Sequence, residues 1–203
     1  RGRREFAGVQ FHSARWDHSV DLTAKRVAVI GNAASAVQFV PQIAPQVAQL
    51  TVFQRSANWL LPRNDKLYSP RLHRMMARWP WLARLRHDFQ WLFFGEMQLT
   101  PLMKQVRPVV WLARRKSMAH LRRQVRDPAL RAKLVPDFPI GAKRVLFNDD
   151  YYPALGRANV EVVTDAIETI VPDGVRTHDG KVHAADVIIY ATGFKATDFL
   201  AGV

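Results

Sequence analysis

Six consecutive residues, Gly31-Asn32-Ala33-Ala34-Ser35-Ala36, stand between a short β-branched run, Val27-Ala28-Val29-Ile30, and an apolar stretch of helical character. A glycine-bearing turn from strand to helix can bind a pyrophosphate. The first Gly makes the tight turn, the second position lets the backbone approach the phosphates, and the helix N-terminus offers free amides and a partial positive charge. Here the second and third glycine positions carry Ala33 and Ala36, and the Ala33 methyl lies where a phosphate has to come close. On its own the motif is equally compatible with a plain strand-to-helix turn. A second group, Gln54-Arg55-Ser56, ends the next apolar run, with Arg55 24 positions after Gly31. An acidic residue there would hold the ribose 2′-hydroxyl of NAD, whereas a guanidinium suits the 2′-phosphate of NADP. The alternative for Arg55 is a solvated cation at a strand end. His12, near Trp16, and the turn pair Lys143-Arg144 are further candidates, as are Thr192 and Gly193 after the last β-rich run. With no cysteine, the chain has no disulfide framework, no thiolate metal site and no dithiol chemistry, and no metal is expected.

These residues need a frame of parallel strands. Lys25-Arg26-Val27-Ala28-Val29-Ile30 reads as a buried strand, 35–43 as a helix that Pro41 and Pro45 shorten or kink near its end, and Leu50-Thr51-Val52-Phe53 as a second strand. Strand, turn, helix and strand in this span form a right-handed βαβ unit. From about Ser69 to Leu134 the pattern is helical, with three starts expected at a capping residue followed by proline: Ser69-Pro70, Thr100-Pro101 and Asp127-Pro128. Beyond Pro136 short strands return at 160–163, 166–171, 174–177 and 186–190, with turns at Asp173-Gly174 and Asp179-Gly180. The expected class is α/β: a Rossmann-like dinucleotide-binding domain with a parallel sheet, an inserted basic helical subdomain and a small β-hairpin or meander. It divides into 1–65, the insert 66–135, and 136–203.

The 203 residues, 48% hydrophobic and 23% charged, suffice for one globular domain with an appended subdomain. No apolar run reaches the ~18 residues of a membrane span; Trp91-Leu92-Phe93-Phe94 is flanked by Asp88 and Glu96. No secretory signal precedes the first strand, so a cytoplasmic protein is expected. The net charge of +13 is concentrated in residues 62–135, where 17 Lys and Arg face 4 Asp and Glu; the rest holds 13 of each. Arg71, Arg74 and Arg78 recur beside Leu72, Met75, Met76 and Trp79, a basic amphipathic design. It suits weak peripheral contact with an anionic membrane, or arginines that snorkel over a small helical core. Nucleic acid is not expected as a partner, since no helix-turn-helix, zinc or aromatic-sheet RNA motif accompanies the charge.

Upstream of the βαβ unit stands Phe6-Ala7-Gly8-Val9-Gln10-Phe11-His12-Ser13-Ala14-Arg15-Trp16-Asp17. It resembles the FxGxxxHxxxW(P/D) fingerprint of type I Baeyer–Villiger monooxygenases at every fixed position. The run from Leu50 to Arg63, the turn Pro139-Ile140-Gly141-Ala142-Lys143-Arg144 and the stretch Asp186-Val187-Ile188-Ile189-Tyr190-Ala191-Thr192-Gly193-Phe194 are similar to the same family in the same order. The resemblance implies NADPH and FAD as cofactors and a ketone and O2 as substrates. One oxygen atom would be inserted to give an ester or lactone, through a flavin peroxide. It implies that Arg55 and Lys143 contact the 2′-phosphate and that Arg144 stabilises the oxygen anion over the flavin. His12 would belong to the network that couples the nicotinamide domain to the flavin. The family carries an N-terminal flavin motif and a longer C-terminal part that these residues lack, so an internal segment is expected, holding the NADPH-binding part and inactive alone. An N- or S-oxidising flavin monooxygenase is the alternative, whose fingerprint lacks the Trp16-Asp17 ending; a basic binding module would leave the ordered motifs unexplained.

Overall fold

Four short, largely β-branched apolar runs set the central sheet, because its inner strands have to bury both of their faces. In the computed structural model, which describes residues 1–65 and 67–193 (for Gln98 the backbone alone), they are β2 Arg26–Ile30, β3 Gln49–Phe53, β6 Val160–Val163 and β10 Val187–Tyr190. A fifth strand, β1 Val9–His12, comes from the fingerprint segment, where no strand was expected. All five are parallel in the order β1-β10-β2-β3-β6. Phe194, at the end of the Ala-Thr-Gly segment, lies outside the described residues.

Strand alternation sends Val27, Val29, Leu50, Val52, Val162, Val187 and Ile189 to one face. There they meet α1 Ala34–Ile43 and α7 Tyr151–Leu155. Pro41 sits inside α1, and the helix ends two residues later, near the expected place. The intervening positions Ala28, Phe53, Val163 and Ile188 point to the other face, covered by Ile170 and Val175 of an antiparallel meander. Its strands are β7 Ile167–Val171, β8 Gly174–Thr177 and β9 Val182–Ala184. The expected parallel sheet and small meander are both present.

Asp186 closes the N-terminal edge of the sheet. Its carboxylate accepts from the Arg26 amide at 2.8 Å and meets the Arg26 guanidinium at 2.6 Å, which draws its pKa down to about 2. A depressed carboxyl pKa contributes stability that is present above the unfolded value near 4 and lost as pH falls through about 2. Asp186→Asn is expected to cost about 1 kcal/mol at pH 7, since both side chains are partly solvated and their attraction is screened. The loss should shrink to nothing below pH 2, as read by urea unfolding across that range.

The helical insert begins with α2 Pro70–Arg78, capped by the Ser69 hydroxyl on the Leu72 amide, and ends with α6 Pro128–Lys133, capped by Asp127. Both follow the expected cap-then-proline pattern. The expected start at Thr100-Pro101 is corrected. Residues 80–103 form one continuous helical run: α3 Pro80–Gln90, a π-helical segment Trp91–Leu99, and α4 Thr100–Met103. Thr100 is itself helical, and its amide donates to the Gly95 carbonyl five residues back. That wider turn relieves the clash that Pro101 would make with an α-helical carbonyl four residues back. Two further starts, at Pro80 and Pro108, have proline without a capping residue in front and so escaped the pattern. The last long helix, α5 Arg107–Gln124, buries Ser117, His120 and Leu121, and Leu121 joins the main core. A two-residue parallel ribbon, β4 Leu60–Leu61 with β5 Leu146–Phe147, joins the chain entering the insert to the chain leaving it.

Candidate functional site

Strand order places the site. From β2 the chain crosses through α1 to β3 and on to β6, while β10 and β1 lie on the other side, so direction reverses between β2 and β10. In parallel α/β sheets, ligands bind outside the carboxyl ends of the strands at such a switch point. The residues at those ends are Gly31, Gln54, Thr164, Thr192 and His12.

Gly31 takes φ +103, and a Cβ there would lie 2.5 Å from the Ala191 carbonyl oxygen. The β2 turn and the β10 turn thus touch backbone to backbone, which only glycine allows. Ala33 has extended dihedrals (φ −74, ψ −167) that any residue adopts, and no side chain caps α1. The first amides of the helix, at Ala34, Ser35 and Ala36, are left to face an anion. Ala36 is fully buried where helix meets strand, so a small side chain at this third position serves close packing.

A ladder of amides holds the loops. Asn32 donates to Gln54 Oε1 at 3.0 Å and to the Ser56 carbonyl at 2.9 Å, and Asn58 donates back to the Asn32 carbonyl at 2.8 Å. Gln54, almost fully buried, donates to the Lys133 carbonyl at 2.8 Å. The side chains of Asn32 and Gln54 are therefore committed to fixing the turn, and Arg55 is left exposed beside it. Arg55 and Ser56 line an open cleft of about 360 Å³ together with Lys133 and Thr164. Lys133 is a residue that sequence reasoning missed. It comes from α6 of the insert, and its ammonium donates to the Val162 carbonyl at 2.9 Å, a pairing across 29 positions that no local pattern signals.

Lys143 and Arg144 are not among the residues lining this cleft. They are exposed on the turn after Gly141, and Lys143 stands 4.2 Å over the Phe138 ring.

The fingerprint residues form a structural unit on the other side of the switch. Phe6 is buried beneath the meander, and a Cβ at Gly8 would meet the Asp186 carbonyl oxygen at 2.4 Å. Trp16 packs edge-on to Phe11 at 5.3 Å and to Phe39 of α1 at 5.1 Å. Asp17 accepts from the amide and hydroxyl of Ser19, which holds its carboxyl below the usual range. His12 ends β1, and its Nδ1 accepts from the Ala14 amide at 3.1 Å, so the neutral ring carries its proton on Nε2. Thr192 Oγ1 lies 3.5 Å from that nitrogen. The structure brings His12 and Thr192 together, and Gly31, Asn32, Gln54 and Arg55 together, across one sheet edge. Among the described residues no His, Asp or Glu cluster could hold a metal ion.

A five-stranded parallel sheet with helices on one face, a meander on the other and a glycine turn at its switch point is of the Rossmann type, the arrangement of dinucleotide-binding domains. No protein-family model matches the chain. A Baeyer-Villiger monooxygenase of Pseudomonas aeruginosa is 41% identical over 198 residues, 97% of this chain and 37% of the relative. Among solved structures, an oxidised steroid monooxygenase bound to NADP is 30% identical with TM-score 0.78, over 97% of this chain and 44% of that one. OTEMO in complex with FAD and NADP is 29% identical with TM-score 0.77, over 96% of this chain and 44% of that one. By sequence and by fold the chain is homologous to one segment of Baeyer–Villiger monooxygenases. It spans a little over a third of the length of the curated relatives it matches.

Proposed function

We propose that the chain is the NADPH-binding part of an FAD-dependent monooxygenase that uses O2 to convert a ketone into an ester or lactone. The observation that carries this reading is the exposed Arg55 guanidinium at the rim of a cleft, beside a turn that Gly31 alone can make. The residues fit the nucleotide: uncapped amides of α1 face the pyrophosphate, and Arg55 takes the 2′-phosphate in a charge-assisted pair. When bound, NADPH supplies a hydride and FAD supplies oxygen activation. What these residues do is bind and orient. Ser56 lines the same cleft. By the family resemblance Lys143, which stands outside that cleft, adds charge toward the 2′-phosphate, and Thr192 and Gly193, after β10, lead back toward the flavin. His12 transmits the position of the β10 turn to the fingerprint strand through its contact with Thr192. Arg144 holds negative charge that develops on oxygen, because a guanidinium is a cation whose planar fork donates several N–H bonds to an anion. The Trp16-Asp17 ending favours this reading over N- or S-oxidation. The absence of cysteine fits a cytoplasmic location.

Calorimetric titration with NADP⁺ and NAD⁺, alongside a far-UV spectrum of the same sample, tests the nucleotide half. NADP⁺ is expected to bind about 30- to 150-fold more tightly than NAD⁺, and Arg55→Ala to remove most of that preference, as loss of a bidentate charged pair of about 2–3 kcal/mol requires. Equal affinities in a folded sample would reject the assignment of Arg55.

A further inference from the structure

The apolar face of the helical run at residues 80–103 has no role in the nucleotide site. Trp81, Leu85, Phe89, Phe93 and Met97 recur every four residues and are all exposed, the first three at 61%, 61% and 63%. In an α-helix every fourth residue runs ahead by about 40°, so such a row drifts round the cylinder. The wider π-helical turn at Trp91–Leu99 works against that drift, and Phe89 and Phe93 stay stacked at 5.7 Å in this exposed stripe; Trp91, Leu92 and Phe94 beside it are exposed as well, so the π-helical segment presents apolar side chains all round. No residue of α2 or α3 is buried.

Charge says what covers the stripe. By helical angle Arg84 and Arg86 flank it on its two sides, and α2 adds Arg71, Arg74 and Arg78. Among the described residues none of these five arginines has a carboxylate partner. Arg78 and Arg86 instead lie over the rings of Trp79 and Tyr68. A second copy would bring like charges together, and a protein interface tends to exclude unpaired charge from its core. Tryptophan and phenylalanine tips within a rim of unpaired arginines match the apolar boundary and anionic headgroups of a lipid surface. No described helix is long and apolar enough to cross a membrane, so the contact is peripheral. We propose that the α2–α3 face and the π-helical segment dock on an anionic phospholipid bilayer, with the Trp81–Met97 stripe entering the interface and the arginines pairing with headgroup phosphates.

The test uses the full-length flavoprotein, so that any other part of the protein able to cover the stripe is in place. It is sedimented with phosphatidylcholine vesicles, with and without phosphatidylglycerol, at low and high salt. Binding is expected only with the anionic lipid and is expected to fall as salt rises. Trp81→Ser/Leu85→Ser/Phe89→Ser and, separately, Arg71→Gln/Arg74→Gln/Arg78→Gln should each weaken partitioning at least about tenfold, with the circular dichroism and NADPH oxidation rate unchanged. A folded wild-type protein that stays in the supernatant at low salt overturns the proposal. So does sedimentation indifferent to phosphatidylglycerol and to both triple substitutions. Neither result depends on whether the protein oxidises ketones.

Discussion

Gly31→Ala is expected to abolish measurable NADP⁺ binding and to lower folding stability by about 2–4 kcal/mol. Two independent effects combine. At φ +103 an alanine pays backbone strain, and its Cβ would lie 2.5 Å from the Ala191 carbonyl, a backbone atom that cannot swing aside. Relief requires the β2 turn and the β10 turn to separate. The Gly31 amide bonds the Phe53 carbonyl and the Ala191 amide bonds the Ile30 carbonyl, so that separation pulls on ladder bonds at both ends. The turn that moves is also the one whose geometry aims the α1 amides, which links the stability loss to the binding loss. Ala33→Gly is the control. With extended dihedrals at Ala33, glycine relieves no strain there, and binding should be retained. Thermal unfolding and calorimetric titration of both variants separate the two effects, and a Gly31→Ala protein that binds NADP⁺ as the wild type does would remove the turn from the site.

The sheet was legible in the sequence where strands bury both faces. β2, β3, β6 and β10 announce themselves as short β-branched runs, whereas β1 contains Gln10 and His12 and acquires strand geometry only by pairing with β10. β4 and β5 have two residues each and exist because the insert returns to its starting point, a long-range condition without a local signal. The insert was legible as helical and basic. Its cap residues marked two starts, but the π-helical segment made Thr100 an interior position that carries the look of a cap. At the candidate site, spacing singled out Gly31 and Arg55, and the structure sets both at the carboxyl edge of the sheet. The locking of Asn32, Gln54 and Asn58 into one amide ladder was not legible, because it depends on three loops meeting at the carboxyl edge. Lys133 was hidden for the same reason.

Arg144→Ala in the full-length protein is expected to leave reduction of the flavin by NADPH near the wild-type rate while lowering ester formation at least about 100-fold. The turn that presents this arginine is braced on both sides. Ile140 and Val145 are buried, the Trp59 indole donates to the Phe138 carbonyl at 2.8 Å, and the Leu146 amide donates to the Trp59 carbonyl at 3.0 Å. Gln105 of the insert bonds the Ile140 carbonyl at 3.0 Å, and a Cβ at Gly141 would strike that same amide. Between these anchors Lys143 and Arg144 are exposed, so removing one side chain leaves the backbone of the turn in place. A rigid base with a projecting, permanently charged fork is what stabilisation of a developing oxygen anion requires, since the donor must be in position before the charge appears. Arg144→Lys keeps the charge but loses the planar fork, and its ester yield should fall between those of alanine and arginine. Lys143→Ala should do the opposite of Arg144→Ala, raising KM for NADPH and sparing the partition of reduced flavin into ester. Stopped-flow flavin reduction and product analysis on the same samples check both. If ester yield in Arg144→Ala matches the wild type, the catalytic role passes to a residue outside this turn.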